Sequence, residues 1–411
     1  MKIKIFYGWY IVLSGAFLSF YFASIVGYGW TAFVTPIIST FGWSMAQVSL
    51  ASSLRSLQIG VFSPLWGPVV DRYSPRWLMR LGVVCASVGL FCLSRMQTLI
   101  MYYIGFLLVG VGSSLVTGML PLVVISRWFR KDIGKANGLF FMGVGFGGVV
   151  TPLVVTAIDR QGWRTTLFHT SIGFLVAGLL LSFVFRSRPE DYGHLPDGKE
   201  PNGPEKPDAP PTSEFGTSVK EALKMRAFWH LAVVTLFQNA TLGTVMFYTI
   251  PYLTHYGMKR AMAGTVIMLY TFVSLFGRLP FGMMADVFRK SHVMALSVVF
   301  QVFGLVLFWR MGATTPFWFL ILFAVPYGLG VSGVMPTRSP ILTEYFGVKN
   351  FGTIFGLTSV FIAVSNVLAP PLAGWLYDTY HEYRIWWEAL ILFGIIAIIA
   401  ILTIPQPPKR E

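Results

Sequence analysis

One arginine lies inside an apolar stretch that is long enough to form a helix across a membrane. This residue, Arg278, stands in the segment SLFGRLPFGMMADVFRK, which runs from Ser274 to Lys290. A permanent cation at the centre of a bilayer costs about 2.5–3.5 kcal/mol on insertion scales, so it needs a partner. Asp286 follows eight residues later, about 12 Å away along a helix axis. Backbone carbonyls or water can solvate the guanidinium, and so can an incoming anion, because a guanidinium binds a carboxylate through two parallel hydrogen bonds.

Two further arginines, Arg55 and Arg338, also fall within apolar stretches. All 17 acidic residues lie in loops, in polar segments or close to a helix end, so no carboxylate is expected deep in a membrane helix. Arg338 stands six residues before Glu344, and an ion pair or gate near the membrane surface would satisfy it. Arg55 has no acidic neighbour in the sequence, which leaves its role open. Arg278 is therefore the best candidate for binding an anion, and a structural arginine solvated by helix carbonyls is the alternative.

Several uncharged polar residues in the apolar stretches could donate hydrogen bonds to a bound carboxylate. Such residues more often serve packing, which is the alternative for each of them. The coupling candidates are His255, the best titratable group for protons, and Arg278, since a proton could also travel between the bound acid and its site. The hydrogen-bonding candidates are Tyr28 in the segment GYGW, Tyr327, Asn366, and the adjacent pair Gln238 and Asn239.

The composition indicates which solvent surrounds these helices. Of the 411 residues, 55% are hydrophobic and 12% are charged, whereas soluble domains carry about 25% charged residues. A chain this apolar cannot hide its surface in one core, which predicts a multi-pass membrane protein. The net charge of +14 sits in short clusters between apolar stretches, which favours loops at anionic headgroups over nucleic-acid binding. The sequence contains no catalytic, metal-binding or cofactor motif, so we predict no catalytic residues, no metal, no cofactor and no enzyme.

Apolar stretches of about 20 residues predict an all-α fold of twelve membrane helices in two six-helix bundles. The predicted domains are an N-terminal bundle at residues 1–186, a flexible, proline-rich cytoplasmic linker at 187–225 and a C-terminal bundle at 226–411. Loop lysines and arginines concentrate on one side if both termini are cytoplasmic, which predicts the N-in/C-in orientation. The predicted spans are residues 8–35, 44–70, 77–94, 99–126, 134–157, 165–185, 227–254, 261–285, 291–309, 315–343, 350–377 and 386–404.

The two predicted bundles resemble each other in sequence. Two halves with the same orientation indicate a parallel repeat about an axis along the membrane normal, and a binding site is expected between such halves. At a first constant offset in the numbering, Pro36, Gly42, Ala46, Gly67 and Asp71 match Pro251, Gly257, Ala261, Gly282 and Asp286. At a second, slightly larger offset, Gly110, Gly112, Gly134, Gly138 and Pro152 match Gly328, Gly330, Gly352, Gly356 and Pro370.

One motif of glycine, aspartate and basic residues occurs in each half, at a predicted cytoplasmic helix end. The copies are GPVVDRYSPR at Gly67–Arg76 and GMMADVFRK at Gly282–Lys290. Glycine lets helix ends approach closely, and aspartate complements the positive end of a neighbouring helix. With this pattern the chain resembles the major facilitator superfamily, whose loop motif is Gly-x-x-x-Asp-Arg-x-x-Gly/Pro-Arg. The resemblance implies a cytoplasmic gate that contains Gly67, Asp71, Arg72 and Asp286.

Other segments resemble one branch of that superfamily, the monocarboxylate porters and oxalate/formate antiporters. They are FYGWYIV, RWFRKDIGKANGLFFMGVGFGG, RPEDYGHLPDG and the Arg-x-Pro-x-Gly motif that begins at Arg278. In related porters this arginine holds the substrate carboxylate, so the resemblance implies the same role for Arg278. Tyr28 stands where animal porters have a lysine, and Ser274 stands where they have an acid. The proton-coupling residues of those porters therefore do not carry over.

These observations favour a secondary transporter of small organic monocarboxylates, similar to lactate or pyruvate, that works by alternating access with proton symport. The first alternative is an oxalate/formate-type antiporter; those relatives carry a lysine in helix eleven, and the segment FGLTSVFIAVSNVLAPPLAG has none. A lipophilic-drug exporter and a membrane receptor with a transporter-like body are further alternatives. We expect a monomer in a bacterial inner membrane whose partners are an organic anion, protons and lipid.

Overall fold

The computed structural model describes residues 6–55, 73–129, 132–187, 189–192, 217–347 and 351–407, and most of these residues are helical. In the first half of the chain the helices are α1 (Tyr7–Phe22), α2 (Thr31–Phe41), α3 (residues 45–55), α4 (Pro75–Arg95), α5 (Leu99–Ser113), α6 (Met119–Trp128), α7 (Ile133–Val149), α8 (Thr151–Gln161) and α9 (Trp163–Ser182). In the second half they are α10 (Val219–Lys224), α11 (Arg226–His255), α12 (Arg260–Val287), α13 (Lys290–Trp309), α14 (Phe317–Phe346), α15 (Phe351–Tyr380) and α16 (Arg384–Leu402).

Within the described residues, ten continuous helical segments are long and apolar enough to cross a membrane, and α7 with α8, bent by 43°, forms an eleventh candidate. These segments coincide with every predicted span except the second. The predicted second span, residues 44–70, is described only as far as residue 55, where α3 covers its first part. The all-α membrane fold is therefore confirmed. The total of twelve spans and the N-in/C-in orientation stay predictions.

The first predicted span is not a uniform helix. Between α1 and α2 the backbone widens to a π-helical turn at Ala23–Gly27 and then tightens to a 3₁₀ turn at Tyr28–Trp30. Gly27 has φ −78° and ψ −100°, outside the α-helical region, which interrupts the regular hydrogen-bond ladder. The glycine-rich break predicted from GYGW is thus present, and Tyr28 opens its 3₁₀ turn.

Glycines permit the closest helix contacts. In the predicted segment GVGFGG, a Cβ at Gly143 would collide with the carbonyl oxygen of Ala16, so glycine lets α7 lie directly against α1. One repeat-related pair, Gly112 and Gly330, acts in the same way. A Cβ at Gly112 of α5 would collide with α4, and a Cβ at Gly330 of α14 would collide with α13. These glycines therefore permit close contacts between neighbouring helices in both units.

A second repeat-related pair ends two helices. Gly42 follows α2 with φ +69°, and Gly257 follows α11 with φ +83°. Only glycine adopts this left-handed conformation without strain, and it is the usual residue just after a helix. The repeat therefore preserves a backbone requirement at the ends of the first and seventh predicted spans.

The chain divides into two compact units. The N-terminal unit comprises Met1–Trp43 and Ala51–Pro207, and the C-terminal unit comprises Ser44–Leu50 and Asp208–Glu411. Most of the predicted linker lies outside the described residues. Its last part forms α10, because Ser218 and Glu221 make a reciprocal capping box at the start of that helix.

Candidate functional site

Arg278 lies in the second half of α12, two residues before Pro280. Its side chain is half-buried, and it makes no hydrogen bond or ion pair with the residues that the structure describes. Proline has no N–H, so the carbonyl of Phe276, four residues earlier, lacks the partner that a regular helix would supply. The Arg-x-Pro motif therefore places a cation two residues before a break in the helical hydrogen-bond ladder, and its role in binding an anion stays a prediction.

The helix α14 fixes the position of α12 around this arginine. A Cβ at Gly277 would collide with the hydroxyl group of Ser332, and Phe281 would meet a Cβ at Gly333. Because the two helices touch at these points, Arg278 lies at about the level of Ser332. This packing orients α12 through neighbouring residues without using the guanidinium.

One face of α11 carries Thr235, Asn239 and Gly243 at a spacing of four residues, which aligns them along the helix. The amide nitrogen of Asn239 donates to the Thr235 carbonyl at 2.9 Å, and the side chain is 8% exposed. The amide oxygen of Asn366 in α15 lies 3.1 Å from the position of a Cβ at Gly243. Two predicted site residues, Asn239 and Asn366, thus lie about one helical turn apart on adjoining helices, about 6 Å along the axis.

Arg338 lies near the end of the same polar face, where α14 meets α15. One terminal nitrogen of its guanidinium donates to the Phe355 carbonyl at 3.2 Å, to Thr358 Oγ1 at 2.9 Å and to Ser359 Oγ at 2.8 Å. The Phe355 ring lies 4.2 Å from the guanidinium carbon. The ion pair with Glu344 that the sequence suggested does not form, because Glu344 pairs with Lys290 at 3.5 Å.

The two tyrosine candidates have different surroundings. Tyr327 of α14 has no exposed surface. It stacks on Phe323 at 5.2 Å, and its hydroxyl donates to the Thr241 carbonyl at 3.4 Å. Tyr327 therefore lies in the packed core of the C-terminal unit, as the packing alternative predicted, and its contact with substrate stays a prediction. Tyr28 is half-buried in the 3₁₀ turn of the N-terminal unit.

His255 ends α11 and has an exposed side chain. Its Nδ1 lies 3.3 Å from the hydroxyl group of Tyr377 in α15. The rings of Tyr256, Tyr377 and Tyr383 surround it at centroid distances of 5.0, 5.4 and 5.5 Å. An exposed imidazole with one hydrogen-bond partner can exchange protons with water, which keeps His255 available as a coupling group.

The N-terminal unit has an apolar groove. The groove has a volume of about 600 Å³ and lies between α1 and α7. Its aromatic lining residues are Phe17 and Phe20 from α1 and Phe146 from α7. These aromatic residues form an apolar surface on the N-terminal unit.

Part of the predicted gate lies outside the described residues. This applies to Gly67, Asp71 and Arg72. Asp286 lies in the last turn of α12. The Lys290–Glu344 ion pair joins the start of α13 to the end of α14 nearby, and the sequence pattern did not predict it.

A second missed contact involves Asp378 at the end of α15. Its carboxylate accepts hydrogen bonds from the N–H groups of Met45 and Ala46, at 3.0 and 2.9 Å, within the C-terminal unit. Negative charge stabilises the first turn of a helix, so this aspartate caps α3. Ser44 and Gln47 cap the same turn reciprocally. Their Ser-x-x-Gln spacing is a readable signal, whereas the aspartate is 333 residues away in the chain.

The sequence profile of the Major Facilitator Superfamily matches residues 12–264 and 239–411. The chain belongs to this superfamily. It is a multi-pass membrane transporter, since the family and the relatives below consist of transporters. The fold agrees with that of solved members. The nucleoside transporter NupG superposes with a TM-score of 0.74 at 14% identity and covers 96% of this chain and 98% of its own. An inward-facing, unoccupied bacterial homolog of the human lysosomal transporter Spinster gives 0.72 at 16% identity, covering 98% of both chains.

Sequence relatives place the transporter in the monocarboxylate branch. Mouse Monocarboxylate transporter 4 is 26% identical over 387 residues, which are 92% of this chain and 79% of the relative. Monocarboxylate transporter 12 of Xenopus laevis is 26% identical over 408 residues, 95% of this chain and 86% of the relative. The MFS-type transporter YcxA of Bacillus subtilis is 23% identical over 402 residues, 92% and 91% of the two chains. The branch predicted from the motifs is thus confirmed.

Proposed function

We propose that this transporter carries small organic monocarboxylates, similar to lactate or pyruvate, together with protons by alternating access. The observation that supports the proposal is Arg278, a half-buried guanidinium in a membrane helix without a hydrogen-bond or ion-pair partner among the described residues. An anion from solution would neutralise it, and a carboxylate fits the planar donor fork of a guanidinium. The names of the relatives point to the same class of cargo.

In this proposal two amides complete the carboxylate site. Asn366 and Asn239 line the polar face of α11, and Asn366 keeps part of its surface exposed. Amide N–H groups would bind the carboxylate oxygens, and Tyr28 and Tyr327 remain proposed contacts. Apolar side chains would accept the methyl group of the substrate, because such a surface excludes water from it.

Proton symport follows from charge balance. One carboxylate carries one negative charge, so movement with one proton is electroneutral and avoids work against the membrane potential, about 2.3 kcal/mol per charge at 100 mV. We propose His255 as the protein group that exchanges this proton, with Tyr377 as its hydrogen-bond partner. The outer end of α11 then contributes to coupling, while α12 supplies the binding charge.

A dianion exchanger of the oxalate/formate type is less well supported. Two carboxylates at one site call for two cations, and α15 contains no lysine. We further propose a bacterial inner membrane as the location and a monomer as the working form.

The test is uptake of labelled L-lactate and pyruvate into proteoliposomes by the wild-type protein and by Arg278→Ala and Arg278→Lys. Loss of two charge-assisted hydrogen bonds costs about 3 kcal/mol, so the alanine variant should lose uptake by about a hundredfold. Arg278→Lys should keep the charge but lose the fork, and so regain only part of the rate. Arg310→Ala is the matched control, because Arg310 is exposed just after α13. Uptake by Arg278→Ala at the wild-type rate would contradict the proposal.

A further inference from the structure

Arg338 is a second buried cation for which the structure shows no carboxylate partner among the described residues. It is only 6% exposed, and its three hydrogen bonds go to a carbonyl and two hydroxyls. All three bonds use the same terminal nitrogen. Its Nε atom is buried without a hydrogen-bond partner, and the nearby acid Glu344 pairs with Lys290 instead.

Neutral acceptors and an aromatic ring solvate this charge without cancelling it. A buried charge is stable when it is both paired and hydrogen-bonded, and removal of its counter-charge is costly. The contacts of Arg338 meet the second condition only. Arg338 therefore lacks a counter-charge among the described residues, as Arg278 does, and it is more deeply buried.

The Arg338 guanidinium lies beside the polar face of α11. Arg338 lines a recess together with Thr235 of α11 and Thr358 of α15. The recess is too narrow for a water-sized molecule in this conformation. Thr235 lies one helical turn from Asn239, whose amide donates to its carbonyl. Arg338 and the Asn239 amide therefore both lie close to Thr235, on the same face of α11.

The position of Arg338 relative to Arg278 follows from the packing of α12 on α14. Gly277 touches Ser332, so Arg278 lies near the level of Ser332. Arg338 comes six residues later in α14, which is about 9 Å further along the axis. The predicted orientation places that end of α14 toward the cytoplasm.

We infer that Arg338 is a second anion-binding position, which receives the carboxylate after it leaves Arg278 on its way to the cytoplasmic side. This inference rests on the proposed function, since the ligand is the same small monocarboxylate. The Nε–H and the second terminal nitrogen supply the donors, which are not the ones used in the bonds to Thr358 and Ser359. Entry of the anion requires the recess to widen, so binding at Arg338 belongs to a different step of the cycle.

The test uses purified full-length protein with sodium L-lactate and sodium pyruvate as probes. Counterflow in proteoliposomes reports turnover, and ligand-induced thermal stabilisation reports binding. Arg338→Gln should keep the stabilisation that Arg278 provides, yet turn over about tenfold more slowly, as expected for one lost charge-assisted contact. Arg338→Lys keeps the positive charge, and its turnover should fall between that of wild type and that of Arg338→Gln. It replaces the glutamine variant as the test if that variant does not fold. Turnover equal to wild type in Arg338→Gln would overturn the inference.

Two further variants separate binding from structural support. The double variant Thr358→Val with Ser359→Ala removes two acceptors but keeps the charge. It should melt at a lower temperature and keep turnover within about twofold. Equal slowing of this variant and of Arg338→Gln would show a structural clamp and overturn the inference. A wild-type protein that neither lactate nor pyruvate stabilises would instead contradict the proposed function itself.

Discussion

The two units share a packing scaffold. In the N-terminal unit Gly112 of α5 lies against Ala86 of α4, and in the C-terminal unit Gly330 of α14 lies against Gln301 of α13. The two glycines correspond at the second offset of the sequence repeat, and Ala86 corresponds to Gln301 at the first. The same close helix contact is therefore built twice, once around an alanine and once around an amide.

The units differ in the polar groups on that scaffold. At the second offset of the repeat, Tyr327, Arg338 and Asn366 of the C-terminal unit correspond to Val109, Leu120 and Gly148 of the N-terminal unit. The N-terminal unit has an apolar groove along α1 and α7. Packing constrains both copies of a repeat equally, whereas a binding group is needed only once. Of the residues proposed to bind the carboxylate, Arg278, Asn239, Asn366 and Tyr327 lie in the C-terminal unit and only Tyr28 lies in the N-terminal unit.

The largest expected effect tests the shared scaffold. Gly112→Ala and Gly330→Ala should each lower stability by about 1–3 kcal/mol, because the added methyl group overpacks a close helix contact. The matched controls are Gly138→Ala and Gly356→Ala, a repeat-related pair with no atom within 4 Å of an added Cβ. Each control should keep or raise stability, since alanine favours a helix by about 1 kcal/mol over glycine. Melting temperatures of the four purified variants decide the matter, and equal values for all four would contradict a shared scaffold.

The second largest expected effect concerns the pH dependence of uptake, and it tests a difference between the two units at one repeat-related position. At the first offset of the repeat His255 corresponds to Thr40, whose hydroxyl accepts a hydrogen bond from the Trp163 indole at 3.2 Å. An imidazole side chain can take up and release a proton, whereas a threonine hydroxyl cannot. His255→Gln should therefore abolish a several-fold stimulation of lactate uptake between about pH 7.5 and 5.5. Thr40→Val should keep it. A normal pH profile in His255→Gln would exclude this residue from coupling and leave the carboxylate site intact.

The features that could be predicted from the sequence are those that depend on local patterns of residues. Span positions follow from runs of apolar residues, and the break at Tyr28 follows from two glycines. The partners of Arg338 could not be predicted, because Phe355, Thr358 and Ser359 come from the next helix and carry no charge that marks them. The contact of Asp378 with α3 joins residues 333 positions apart. Such contacts depend on how helices pack, which a single apolar pattern leaves open.

The smallest effect concerns amides inside the C-terminal unit. Gln301 is fully buried, and neither its Oε1 nor its Nε2 has a hydrogen-bond partner among the described residues. Gln238, also buried, donates to Ser297 at 2.9 Å. An unsatisfied buried amide costs about 1–3 kcal/mol, whereas a satisfied hydrogen bond contributes about 1 kcal/mol. Gln301→Leu should therefore match or exceed wild-type stability, while Gln238→Leu should lose about 1 kcal/mol.

Thermal melting and lactate uptake of both leucine variants provide the measurement. Increased stability with unchanged uptake in Gln301→Leu would indicate that the C-terminal unit tolerates an amide where the N-terminal unit has Ala86. Unchanged stability with reduced uptake would instead add Gln301 to the transport machinery, because an amide that does not stabilise the fold would then act on substrate or protons. A loss of stability larger than that of Gln238→Leu would contradict the assignment of Gln301 as unsatisfied. The outcome decides whether the polar character of this unit is confined to the face of α11 or extends to its contact with α13.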